Sequence, residues 1–476
     1  MNQKKSTILT TIFIALCFSW TGSSYISWLH QLKQFYDVNF VYIVTESWGG
    51  YLPQIAGILT WSYFVATNKK WAFTIPFLTF LCGLDALFVM GCIFPSQSSL
   101  VLCSGFIISY LHGILCGFYL TLLAMMVPKQ HRGLAFATGY AIGSIASYLL
   151  SLPDSGNFLA GKAISVVYLL MIAATIGMLP AIQKQIAQLQ TDIPQADLEQ
   201  SVANATRQPQ ITDKTTVFRM LLAPAALIFL VTLMNQFMNA IPAISYLNGT
   251  IGLEFSRAFY AIGLLLAGYI NDKNRRFGPL LCLLALVFSL ISLGLYNTPN
   301  VTLLLAIIGY ITLAFPIVYR VVSFADATDY NKTLLFLAPV GLAIGRLGEA
   351  TGAYFGLMLT EHHIATIVTL SLLFILISIL VYTINMASVV ITETEMSVAV
   401  ETESQPSLSF EEFYDLSKRE CEIFDLILKK ASNPAIAESL FVSENTVKFH
   451  VKNILHKTDC KNRKELIQKA EAYQSE

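Results

Sequence analysis

The feature that most constrains this chain is a series of apolar runs, each long enough to cross a lipid bilayer. A helix spanning the hydrocarbon needs about 20 predominantly apolar residues. Twelve such runs are expected, at 7–29, 38–65, 72–93, 100–127, 133–152, 162–182, 217–240, 249–270, 277–296, 301–323, 333–358 and 364–391. The second and the eighth are broken by polar residues. Only 13% of the residues are charged, against about 25% in an ordinary soluble domain. That excludes a plain cytosolic enzyme and a disordered chain. The charges are also uneven, because residues 392–476 carry 27 of the 60. One part of the chain suits lipid and another suits water. The expected division is a membrane domain over 1–391, a flexible acidic Ser/Thr-rich linker over 392–414 and a compact polar module over 415–476.

The loops give the orientation. With the N-terminus inside, the inner segments before the tail hold fourteen Lys and Arg residues. The outer loops hold only Lys33 and Lys162. That bias fixes both termini on the cytoplasmic side of a cell's inner membrane. Lys4 and Lys5 precede an apolar run without a small-residue cleavage site, so this run is expected to be a retained first helix. The longest loop, 183–216, is polar and divides the spans into halves over 1–182 and 217–391. The halves echo each other. Span five reads Gly139-Tyr-Ala-Ile-Gly143, and span eleven reads Gly341-Leu-Ala-Ile-Gly345, followed by Gly348 and Gly352. Small residues four apart let helices approach closely in lipid.

Twelve spans in two halves around a cytoplasmic loop resemble the major facilitator superfamily. The inner loop after span eight reads Gly268-Tyr-Ile-Asn-Asp272-Lys273-Asn-Arg275-Arg276. It is similar to that superfamily's G-x-x-x-D-x-x-G-R-R loop, with Arg275 in place of the second glycine. The resemblance implies that Asp272 and the basic residues lock the inner ends of neighbouring helices. The matching first-half loop, Val65-Ala-Thr-Asn-Lys69-Lys70, keeps the basic pair and lacks the Asp. This departure favours sensing over transport.

A charge inside the bilayer is costly and therefore marks a candidate site. Glu46 falls in span two, Asp85 in span three, Glu254 and Arg257 in span eight, Arg320 in span ten, and Arg346 with Glu349 in span eleven. Arg346 and Glu349 are three apart and share one helical face. Two readings stand side by side. The pair holds the bundle together, or it belongs to a ligand site between the halves, near mid-membrane. Glu46, Asp85, Arg257, Arg346 and Glu349 are the candidate ligand residues. Arginine in the second half favours an anionic or carboxylate-bearing ligand. Trp20, Tyr25, Tyr110, His112, Tyr119, Asn235, Gln236 and Asn239 are further cavity candidates, although aromatics in membrane helices more often serve the interface or the core. His362-His363 has no third ligand, so no metal is expected there. Walker loops, Ser-His-Asp order and dinucleotide glycine fingerprints are missing. Neither enzymatic activity nor a cofactor is expected.

The tail is more specific. Ser417 with Glu420 forms a capping box ahead of a first helix with a stripe of Ile423, Leu426 and Ile427. Pro434 suits the first turn of a second, short helix. Ser443 caps a third helix whose buried stripe is Val447, Val451, Ile454 and Leu455. Asn445, Lys448, Phe449 and Lys452 lie off that stripe. A fourth helix starts at Arg463. A short helix, a tight turn and a capped helix with an exposed basic face describe a helix-turn-helix. The basic residues of the tail concentrate in this module, as phosphate contacts require.

Leu416-Ser-x-Arg-Glu420, Asn433-x-x-Ile436-Ala437-x-x-Leu440, Val442-Ser443-x-x-Thr446-Val447-Lys448-x-His450 and Asn453-Ile454-Leu455-x-Lys457 resemble the LuxR-type DNA-binding domain. The resemblance implies an all-α chain: a twelve-helix, major-facilitator-like bundle and a cytoplasmic four-helix helix-turn-helix domain. It implies that Lys448, Phe449 and Lys452 face the major groove, with Asn445 beside them, while Thr446 and nearby amides hold phosphate. It also implies a homodimer through the fourth helix on two-fold promoter DNA. Pro434 and Thr458 depart from the common Lys and Leu at those places. No soluble receiver unit precedes the tail in this sequence, so the input is expected through the membrane domain or the tail. The leading expectation is a membrane-bound one-component regulator that senses a small molecule. The alternatives are a working transporter with a regulatory DNA-binding tail and a ligand-free membrane tether.

Overall fold

A computed structural model describes residues 3–94, 97–151, 161–191, 214–248, 258–295, 302–358, 366, 368–384 and 410–475. Regular structure among the described residues is helical throughout. The chain divides into two compact units, Met1–Ser388 and Val389–Glu476.

In the first unit, α1 covers Gln3–Phe35, α2 Val38–Tyr42, α3 Trp48–Ala66, α4 Ile75–Ile93, α5 Ser98–Met126, α6 Arg132–Ser151 and α7 Gly161–Thr191. The second half continues with α8 (Lys214–Asn248), α9 (Tyr260–Lys273), α10 (Phe277–Leu295), α11 (Thr302–Tyr330), α12 (Val340–Met358) and α13 (Val368–Ile384). Among the described residues, eight helices are long and apolar enough to cross a membrane, and two apolar helices, Phe277–Ile291 and Val368–Ile384, are shorter. The two remaining expected spans are those broken by polar residues. One is α2–α3, joined by a π-helical turn at Ile43–Ser47, and the other is α9. Arg257 and Glu254, candidates within span eight, lie outside the described residues, as do His362 and His363.

Packing repeats with a period of six spans. Helix α1 packs on α6 and α8 on α12, and likewise α3 packs on α5 and α9 on α11. The two halves meet through α6 against α9 and α3 against α12. The repeated glycines sit in these seams. Side-chain carbons at Gly139 and Gly143 would collide with Ile14 and Phe18 of α1, and at Gly348 and Gly352 with Thr232 and Leu233 of α8. Close approach needs the missing Cβ there.

The second unit holds α14 (Phe410–Phe413), α15 (Lys418–Leu428), α16 (Asn433–Ser439), α17 (Glu444–Lys457) and α18 (Arg463–Ser475) around their own apolar core. Both halves of the expected capping box at Ser417 and Glu420 are formed. Ser443 accepts from the Thr446 amide at 3.1 Å. The linker expectation fails at its end. Residues 410–413 form a helical turn because Phe410, 5% exposed, stacks on Phe424 at 5.0 Å and meets Tyr473 edge-on at 5.4 Å. Residues 392–409 of the expected linker lie outside the described ones.

Candidate ligand cavity and nucleic-acid interface

A cavity of about 410 Å³ lies between the two halves of the bundle. Its wall takes Tyr25, Glu46, Tyr51 and His112 from the first half, and Gln236, Tyr260, Arg346 and Glu349 from the second. The π turn positions Glu46. One extra residue per turn brings Glu46 and Tyr51, five apart, onto one face, and the Tyr51 hydroxyl donates to Glu46 Oε2 at 2.7 Å. The Tyr25 hydroxyl donates to Oε1 at 2.5 Å.

Across the cavity, Arg346 Nη1 donates to Glu349 Oε2 at 2.8 Å. The expected pair is larger than two residues. Arg320, fully buried on α11, donates from Nη1 to Glu349 Oε1 at 2.7 Å. Gly345 clears the space, since a Cβ there would strike the Arg320 guanidinium. The Arg346 guanidinium sits 4.7 Å from the Tyr51 ring centroid, a cation–π distance.

Of the candidate ligand residues, the structure brings Glu46, Arg346 and Glu349 to the cavity. Asp85 does not line it. Its carboxylate, 2% exposed, lies 3.3 Å from His112 Nε2, and it is His112 that faces the cavity. Tyr25 and Gln236 also line it. Trp20, Tyr119 and Asn235 are buried elsewhere; Trp20 Nε1 donates to Thr175 Oγ1 at 3.2 Å and the Ser289 hydroxyl donates to Asn235. The Tyr110 hydroxyl donates to Thr60 at 3.2 Å. The side chain of Asn239 lies outside the described ones.

One end of the bundle is closed by a network that the sequence only partly suggested. The Asp272 carboxylate accepts from the Gly133 amide at 2.8 Å and the Leu134 amide at 2.7 Å, capping the N-terminus of α6 from the other half. Arg275 holds Asp272 at 2.8 Å and Asp326 at 2.7 Å, and donates to the Lys129 carbonyl. Arg132, 3% exposed, reaches Asp326 at 3.1 Å and Asp329 at 2.6 Å. Asp326 and Asp329 fall beyond the expected end of span ten at 323, whereas α11 runs on to Tyr330 and carries both.

In the second unit, Val447 and Ile454 are fully buried, and Val451 and Leu455 pack on the same core. Asn445, Lys448, Phe449 and Lys452 are exposed on the opposite side of α17. Phe449 is 61% exposed. Lys448 pairs with Glu444 at 2.9 Å along the helix. The Thr446 and Ser443 hydroxyls lie 2.7 Å apart at the helix start. Lys457, in the last turn of α17, donates to Glu420 at 2.8 Å and to the Asp415 carbonyl at 2.7 Å, which ties the helix to the capping box of α15.

Burial pushes the Glu420 carboxyl up, but hydrogen bonds from Lys457 and the Ser417 amide outweigh it and hold it below the usual carboxylate range. A carboxyl depressed in the folded state adds stability above its unfolded value, and that stability is lost as pH falls through the folded value. The urea midpoint of a fragment covering 405–476 should therefore fall on acidification from neutral pH. Glu420→Gln should lower the midpoint at neutral pH and reduce its acid dependence; an unchanged acid dependence would contradict the role of this pair.

Comparison with known proteins separates the same two parts. Residues 415–470 match the family of bacterial regulatory proteins, luxR family. The oxygen regulatory protein NreC of Staphylococcus haemolyticus is 50% identical over 58 residues, 12% of this chain and 27% of that protein. The transcriptional regulatory protein DegU of Brevibacillus brevis is 44% identical over 52 residues, 11% of this chain and 22% of that one. The chain thus spans about a quarter of the length of these curated relatives. The crystal structure of the human organic anion transporter MFSD10 (TETRAN) superposes with a TM-score of 0.53 at 13% identity, covering 80% of this chain and all of that one. The chain therefore joins a C-terminal LuxR-family helix-turn-helix domain to a multi-pass helical bundle with the fold of a major facilitator transporter.

Proposed function

We propose that this chain is a membrane-bound one-component transcription regulator, with the bundle as sensor and α17 as the helix that enters the major groove of promoter DNA. The observation that carries this reading is the exposed face of Asn445, Lys448, Phe449 and Lys452 on a capped helix of a LuxR-family domain. Phosphate contacts fall to Thr446 and the neighbouring amides, and α18 provides the two-fold contact on DNA. The positive-inside bias supports an inner-membrane location with both termini cytoplasmic, where DNA is reached. A small molecule in the cavity between the halves shifts the bundle only if it binds the two states unequally.

A working transporter with a regulatory tail is the second reading, favoured by the closed network around Asp272, Arg275 and Arg132. Expression profiling of a deletion strain tests the first reading. A small set of genes should change, and should return to normal with the full chain but not with a chain ending at 404. Restoration by the truncated chain would favour transport, and uptake into vesicles would then follow it. A reporter active only outside the membrane, fused after Glu476, should be silent; strong activity would overturn the topology and the regulator reading with it.

A further inference from the structure

We infer that the cavity ligand is a small zwitterion, an amine and a carboxylate on one skeleton, held between Glu46 and Arg346. This rests on the sensor reading and names the chemistry of its site.

Among the described residues, Glu46 on one wall and Arg346 on the other are of opposite charge type and form no ion pair with each other. Both Glu46 oxygens accept hydrogen bonds from tyrosine hydroxyls. Among the described residues no Lys, Arg or His makes an ion pair with it. On the facing wall, two guanidiniums, Arg320 and Arg346, share the single carboxylate of Glu349. Among the described residues, one positive charge is therefore in surplus. Arg320 is buried out of the cavity, so the surplus meets it through Arg346. Asp85 lies behind the wall, its carboxylate 3.3 Å from His112 Nε2.

Tyr51 stands between the two charges. Its hydroxyl touches Glu46 and its ring lies under the Arg346 guanidinium. An ion left without a counter-charge in a low-dielectric interior is costly. A lone amine would answer Glu46 and leave the arginine surplus, and a lone carboxylate would do the reverse. A zwitterion answers both and enters without net charge. The cavity of about 410 Å³ suits a molecule of amino-acid size, and the rings of Tyr140, Tyr260 and Tyr310 in its wall suit an apolar body.

The test uses the full chain in lipid nanodiscs and its melting temperature. The probes are three matched sets: phenylalanine, phenethylamine and 3-phenylpropionate; leucine, isoamylamine and 4-methylpentanoate; 4-aminobutyrate, propylamine and butyrate. At least one zwitterion should raise the melting temperature by several degrees, where its amine and its acid at equal concentration do not. In Glu46→Gln, that zwitterion should lose its effect and the acid of the same skeleton should gain one. If the variant does not fold, the wild-type ranking within each set still decides. An amine or acid as effective as its zwitterion overturns the proposal while leaving the cavity a ligand site. No shift with any zwitterion also overturns it; the regulator reading stands or falls separately, on DNA affinity of the tail.

Discussion

Glu349→Gln should lower the amount of folded protein in the membrane more than any other single change in the bundle. It leaves Arg320 and Arg346 packed together without the carboxylate that both bind. Removing one member of a buried, hydrogen-bonded set of charges costs about 3–5 kcal/mol. Arg346→Ala should cost less. Glu349 would keep Arg320, and the vacated space opens onto the cavity. Replacing a buried set of charges whole is often tolerated, so Arg320→Met and Arg346→Met combined with Glu349→Leu should recover much of the abundance lost by Glu349→Gln. Melting curves of the detergent-solubilised variants check the order. A Glu349→Gln protein that melts like the wild type would show that the triad does not hold the bundle together.

Lys448→Ala should weaken binding to the cognate DNA site by about 1–3 kcal/mol if the ammonium reaches a base edge, and should relax specificity at one position of each half-site. The pair with Glu444 does not stand in the way. Both side chains are about half exposed, at 58% and 46%, and such surface pairs contribute little in water. Lys452 lies one turn further along the same face. A lysine that touches only phosphate behaves differently. Its removal weakens binding evenly across sequences and lowers the salt slope by about one unit. Titrations of Lys448→Ala and Lys452→Ala against matched and mutated sites separate the two roles.

Local signals were the legible ones. A capping box is contained within four residues, so Ser417 and Glu420 announced α15, and Ser443 announced α17 in the same way. Span lengths follow from the thickness of the hydrocarbon, so most of the membrane helices could be placed without tertiary knowledge. The cavity could not. Glu46 meets Tyr51 because a π turn changes the helical register, and reading by a period of 3.6 residues puts the two on different faces. Arg320 reaches Glu349 across a helix seam, and their separation of 29 residues carries no periodic signal. Arg132 counted only as a positive charge in an inner loop, whereas its burial comes from carboxylates about 200 residues away. Phe410, Phe413 and Tyr414 were the missed clue in an otherwise acidic linker; three rings within five residues are more than a solvated tether needs.

On the proposed function, the tail brings this membrane protein to DNA, and that step decides between the readings. It is tested most directly by the salt dependence of DNA binding by the 405–476 fragment, alone and as a linked pair. That segment contains the described core of the second unit, with Phe410 included. The single copy should bind weakly, the linked pair should bind a two-fold site more tightly, and affinity should fall linearly on logarithmic axes as salt rises. A fragment that is folded yet shows no salt-dependent affinity for any DNA, linked or not, would rule out the regulator reading and make α17 a protein-binding surface.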